Sequence, residues 1–111
     1  MTATIRRQMQ LNMVITFRPA ERTDLPKLEW GGEYTHFRRV FQQAFGDQRM
    51  GQRLMLLADM NNYPIGHVFI QFESYDDNPS GYGKRGYFYS LRVMQPFQGR
   101  GIGTALIYEA E

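Results

Sequence analysis

Three glycines fall within five residues near the end of the chain, Gly99, Gly101 and Gly103 in the run QGRGIGT from Gln98 to Thr104. Gly101, Ile102, Ala105, Leu106 and Glu109 then recur at helical spacing, so a helix with an apolar face begins near Gly101. The first amides of a helix have no partners within it, and the helix dipole adds positive potential at the same place. Together they favour an anion, and glycines let a phosphate approach the backbone with no Cβ in the way. A pyrophosphate is the natural ligand of such a turn.

Other groups with chemical potential are sparse. Glu73, Asp76 and Asp77 would draw a cationic amine if they converge, or are the solvated side chains of a turn. His67 shares a strand face with Glu73, where it would relay a proton or simply pack. His36 falls on the polar side of a helical pattern and reads as solvated. The chain has no cysteine, which excludes a disulfide framework, a thiolate nucleophile and a cysteine-based zinc site.

Three glycine patterns compete for the turn. A P-loop needs two glycines with four residues between them, then Lys and Ser or Thr, and no such run exists. A dinucleotide fold needs G-x-G-x-x-G directly after a strand and an acid about 20 residues later. Here the spacing is G-x-G-x-G, MQPFQ separates strand from turn, and no such acid follows. A nucleotide-binding α/β fragment therefore stands only as a third reading. What remains is Q-x-x-G-x-G, met by Gln98, Gly101 and Gly103 after a strand ending LRV and Pro96.

The turn must be carried by a single domain. The chain has 111 residues, 42% apolar and 14% aromatic, enough for a packed core. A formal charge of +2, spread from Arg6 to Arg100, does not mark a nucleic-acid surface. No run approaches the ~20 apolar residues of a membrane span, so a cytoplasmic protein is the default. Met1 to Met13 read as a flexible tail, with the domain over 14–111.

Within that domain VITFRPA is a short strand that Pro19 ends. TDLPKLEW is a helix capped by Thr23 or Asp24 and closed by Gly31-Gly32. From Glu33 to Phe45, Tyr34, Phe37, Val40, Phe41, Ala44 and Phe45 mark an amphipathic helix with Gly46 as its stop. RLMLLADM is a strand buried on both faces, NNYP a turn, and IGHVFIQFE the second strand of an antiparallel pair. Ser74 to Gly86 form a loop, and YFYSLRV is a further strand.

At this point the sequence resembles the GNAT superfamily of acyl-CoA-dependent N-acetyltransferases. LRVMQPFQGRGIGTALI follows its pattern of strand, V-x-x-P, Gln or Arg, x-x-Gly-x-Gly or Ala, and helix. ITFRPAERTDLPKL looks like the family's first strand and helix, and LLADMNNYPIGHVFI like its second hairpin with Gly66 in the usual place. The resemblance covers about Val14 to Glu111. It implies an α/β (α+β) fold with a mixed central sheet flanked by helices, truncated after the helix that follows the fourth strand.

By that resemblance the co-substrate is acetyl-CoA. Gln98, Gly99, Arg100, Gly101, Ile102, Gly103 and Thr104 would hold its pyrophosphate, and the peptide groups of Leu91 and Val93 its pantetheine arm. An acetyl group would pass directly to a primary amine through a tetrahedral intermediate, with an N–H between Leu91 and Val93 facing the oxyanion. Many members place a glutamate four residues before the position of Leu91; here it is Tyr87. Tyr87, Tyr89, Trp30 and Tyr34 would wall an acceptor cleft, and no side chain is assigned as the base.

The family's domain continues past this helix with further strands. Tyr87 to Val93 would otherwise leave an apolar edge, which more of the same protein or a second chain, as in a homo-oligomer, would have to cover. The partners implied are a small-molecule or peptide amine, with no membrane and no nucleic acid. A CoA-binding or interaction module without catalysis is the alternative, favoured by Tyr87 and by the absent portion.

Overall fold

The structure is a computed structural model that describes residues 14–74 and 84–111. The expected tail, and with it Asp76 and Asp77, lies outside the described residues. Four strands form one sheet in the order β1 (Thr16–Pro19), β2 (Arg53–Met60), β3 (Tyr63–Ser74), β4 (Lys84–Val93), antiparallel throughout. Helix α1 (Arg38–Arg49) covers one face and α2 (Ile102–Ala110) the other, so the expected α/β architecture is the one found.

Apolar side chains of β2 and β3 alternate between two cores. Met55, Leu57 and Phe69 pack with Leu28, Phe41 and Ala44 under α1. Leu56, Ala58 and Val68 pack with Ile65, Ile102 and Leu106 under α2. Burial on both faces is why RLMLLADM reads as continuously apolar. Asn61 and Asn62 both take left-handed backbone (φ 54° and 65°), which gives the tight turn a twist that suits the hairpin.

Several local expectations change. The segment after β1 is a pair of 3₁₀ stretches, Arg22–Asp24 and Lys27–Gly32. Neither Thr23 nor Asp24 caps an α-helix; Glu21 stands at the N-cap and donates its amide to Asp24 Oδ2 at 2.7 Å. Asp24 is instead held by Arg18, which makes two bonds to it at 2.7 and 2.8 Å and a third to Asp59 at 3.0 Å. Burial pushes the Asp24 carboxyl up, but the bonds from Arg18 and the Glu21 amide bring it net below the usual range. The guanidinium is raised in turn by its bond to Asp24. A part-buried ion pair thus ties this connection to the sheet.

A 3₁₀ turn at Thr35–Phe37 precedes α1, which runs through Gly46 to Arg49. The stop is Gly51 (φ 75°): its amide bonds Gln48 O and the Gln52 amide bonds Asp47 O, closing the helix end. Gln48 also accepts from the Met55 amide at 2.8 Å and donates to Ala20 O at 2.9 Å, fixing α1 to β1 and β2. Val40, expected on the apolar face, is 47% exposed. The loop is shorter than Ser74 to Gly86, because Phe72, Glu73 and Ser74 pair with Gly86, Arg85 and Lys84. Ladder hydrogen bonds need peptide groups, not β-prone side chains.

Candidate functional site

β3 and β4 are in simple register except at one point. His67 faces Arg92 and Phe69 faces Tyr89, so the single residue Val68 is opposed by two, Ser90 and Leu91. Ser90 takes up the extra length with left-handed backbone, φ 54°. The bulge reverses which face each later side chain takes. Tyr89 stays on the α1 side, edge-on to Phe69 at 5.6 Å. Beyond the bulge Arg92 takes that side, over Tyr34 and Phe37, while Leu91 and Val93 turn toward α2.

The Met94 amide bonds Ile65 O at 2.8 Å, so Met94 and, by alternation, Arg92 direct their peptide groups at β3. Those of Val93 and the Leu91 carbonyl therefore face the outer edge of β4, which has no strand beside it among the described residues. The edge is open but not flat, because the bulge bends it. Gln98 Nε2 donates to the Val93 carbonyl at 2.8 Å, so the turn folds back onto the strand end through a side chain.

A 3₁₀ turn with Pro96, Gln95–Phe97, leads from the strand to the glycines. Gly99 (φ 75°) and Gly101 (φ 83°) hold left-handed backbone that other residues adopt only with strain. Gly101 caps α2, and its carbonyl takes the first intrahelical bond, from the Ala105 amide at 3.0 Å. The amides of Ile102, Gly103 and Thr104 precede any intrahelical acceptor. Gly103 is helical, and a Cβ there would lie 3.9 Å from the side chains of Leu91 and Val93. Two glycines thus shape the chain and the third keeps the helix mouth bare.

Most residues expected to hold the co-substrate come together. A depression of about 260 Å³ is lined by Val93, Phe97, Gln98, Gly99, Gly101, Ile102, Gly103 and Thr104. It shares Val93, Gln98 and Gly103 with a second, of about 360 Å³, that adds Leu91, Arg92 and Tyr34. The Ile102 side chain is buried in the core, so only its backbone is presented. Arg100 is exposed and belongs to neither lining. A bare helix mouth with unpartnered amides fits the pyrophosphate of an acyl-CoA, and an adjoining open strand edge fits its amide-bearing arm.

The expected acceptor wall is only partly assembled. Trp30 is 8% exposed and donates to Pro64 O at 3.0 Å, so it belongs to the core. Tyr34 reaches the depression; Tyr89 is engaged by Arg53, which donates to its hydroxyl at 2.7 Å. Tyr87 stands half exposed on the strand, paired with Gln71. The face carrying His67 is not polar: the imidazole is 1% exposed, stacked on Phe69 at 4.7 Å and enclosed by Trp30 and Phe41. Burial pushes it down to about 4, so it is neutral and out of reach of an incoming amine. The sequence gives no signal of the Ser90 bulge, and without it the placement of Arg92 beside Tyr34 is not visible.

Fold and turn together give an α/β domain with an anion-suited helix mouth beside an open strand edge. The chain belongs to the acetyltransferase (GNAT) family, whose profile matches residues 16–111. Acetyl-CoA as co-substrate fits that family. No curated protein matches the chain in sequence. Among solved structures it is similar to an acetyltransferase of Trypanosoma brucei (TM-score 0.68, 18% identity, covering 86% of this chain and 71% of that one). It is similar also to glucosamine-6-phosphate N-acetyltransferase of Arabidopsis thaliana (0.66, 16%, 86% and 71%). A third is a predicted acetyltransferase of Clostridium acetobutylicum, solved with acetyl-CoA (0.63, 16%, 86% and 70%). At these identities the likeness is one of fold. No helix among the described residues is long and apolar enough to cross a membrane.

Proposed function

We propose that residues 14–111 form the cofactor-binding portion of an N-acetyltransferase that passes an acetyl group from acetyl-CoA to a primary amine by direct attack. The observation that carries this reading is the continuity between the unpartnered amides of Ile102, Gly103 and Thr104 and the outward peptide groups of β4. The helix mouth takes the pyrophosphate, with Gly99 and Gly101 holding its shape and Arg100 adding charge from outside. Gln98 already satisfies the Val93 carbonyl, which leaves the Val93 N–H and the Leu91 carbonyl for the pantetheine amides.

Binding in this way brings the thioester to the bulged stretch, where an N–H between Leu91 and Val93 faces the carbonyl oxygen as it gains charge. The amine must arrive unprotonated; its nitrogen attacks the thioester carbonyl and forms the new C–N bond, the C–S bond breaks, and the proton that the nitrogen loses ends on the departing thiolate, so that CoA leaves as the free thiol. No described side chain is placed as the base. Tyr87, at the position where many members carry a glutamate, favours a second reading, a CoA-binding module without turnover. Thiol release from acetyl-CoA across a panel of amines separates the two: amine-dependent release supports the enzyme, and tight binding with no release in any amine supports the module.

A further inference from the structure

Arg92 is the residue at this site whose charge has no assignment. Three other arginines pair with carboxylates: Arg18 with Asp24 and Asp59, Arg38 with Glu29, Arg53 with Asp47. Arg92 has no carboxylate partner among the described residues and is exposed. Yet it is held. Its Nη1 donates to the Tyr34 hydroxyl at 3.3 Å, and its guanidinium lies 5.0 Å from the Tyr34 ring and 5.4 Å from that of Phe37. Tyr34 is itself fixed edge-on to Trp30 at 5.3 Å. An arginine laid over two anchored rings loses little further freedom on binding a ligand, and most of its donors are still open.

Its position decides what that ligand is. The Ser90 bulge sends Leu91 and Val93 toward α2, where the glycine turn offers its own amides to phosphate, and sends Arg92 to the opposite face. Arg92 nevertheless lines the same depression as Leu91 and Val93. A molecule whose amine reaches the strand edge from the α1 side would meet this guanidinium within a few bonds of its nitrogen. We infer that Arg92, presented by Tyr34 and Phe37, binds an oxyanion on the acceptor, so that the preferred substrates are small amines that also carry a carboxylate or phosphate. A planar guanidinium binds either group through paired, charge-assisted hydrogen bonds.

This inference rests on the acetyltransferase reading, and the test keeps the two apart. Acetyl transfer by the chain is measured for matched amines, β-alanine against propylamine and O-phosphoethanolamine against ethanolamine, in wild type, Arg92→Gln and Arg92→Lys. The expected kcat/KM is about tenfold or more higher for the anionic member of each pair, in line with one charge-assisted interaction. Arg92→Gln brings the ratio toward one through the acceptor KM, with the KM for acetyl-CoA unchanged, and Arg92→Lys restores part of it. Tyr34→Phe, which keeps the ring and removes the hydroxyl, gives an intermediate ratio. Equal use of both classes by wild type, or a change confined to the KM for acetyl-CoA, overturns the inference and leaves the acetyltransferase reading intact. Should no amine be turned over, β-alanine and O-phosphoethanolamine are titrated into the CoA-saturated chain: binding lost in Arg92→Gln supports the inference, and no binding overturns it. Failure to bind CoA at all overturns the acetyltransferase reading itself.

Discussion

The two flanks of β3 are built to different rules. Toward β2 the pairing runs from Arg53–Gln71 to Met60–Tyr63, broken only next to the turn, and nearly every side chain between is buried in one of two cores. Toward β4 the ladder slips at Ser90, and Tyr87, Phe88 and Leu91 stand 42–46% exposed on a strand with an open outer side. The first flank commits its peptide groups and side chains to the fold. The second leaves them available, as a binding edge requires.

That contrast is broken most severely from the committed side. Leu57→Ala removes a fully buried side chain facing α1, and the expected loss is about 2–5 kcal/mol in urea unfolding. Leu57 lines neither depression of the site, so the protein that stays folded should bind acetyl-CoA as wild type does. A loss of affinity in that folded fraction would show that the two flanks are not separable.

His67 tests the same flank through pH. Burial holds its imidazole at about 4, against an ordinary 6.5, with the charge of Arg92 acting in the same direction and a hydrogen bond to the Ser90 backbone opposing it. Between those values the unfolded chain binds a proton that the folded chain refuses. Its contribution is therefore present in full above pH 6.5 and is lost as pH falls toward 4, by on the order of 3 kcal/mol. Asp24 and Glu29, held below the ordinary carboxylate range, lose their contribution only at lower pH. Urea midpoints from pH 7 to 4 should slope in wild type and flatten in His67→Phe. An unchanged slope in the variant would assign the effect elsewhere.

Ser90→Val sharpens the other flank. A β-branched residue at φ 54° costs about 1–2 kcal/mol and favours a flat strand. The expected result is this modest loss of stability together with a larger loss of acetyl transfer, because flattening turns Leu91 and Arg92 to the wrong faces. Equal losses in both would make the bulge a structural irregularity only.

How much of this can be read from sequence follows the same division. The hairpin is legible because burial on both faces needs the apolar run in RLMLLADM and the tight turn needs Asn61-Asn62. The glycine turn is legible because left-handed backbone at Gly99 and Gly101 and a bare helix mouth at Gly103 each demand glycine. Where side chains rather than local propensity decide the conformation, sequence reading falls short. Arg18 and the aspartates replace an expected helix with 3₁₀ turns, and Gln48 and Gly51 carry α1 past Gly46. Ser90 bulges because of how β4 meets β3, and nothing in its residue type announces it. His67 looks polar until Trp30, Phe41 and Phe69 close over it.

The most direct test of the central claim is calorimetric titration of acetyl-CoA into wild type and Gly103→Asp. An acidic residue in the first turn suits the helix dipole, and its Cβ makes ordinary contacts with Leu91 and Val93, so the fold is retained. The carboxylate would stand where the pyrophosphate belongs. The expected result is saturable binding by wild type and at least about tenfold weaker binding by the variant at unchanged thermal stability. Equal affinity in the two proteins would mean that the glycine turn is a helix start and not the acyl-CoA site.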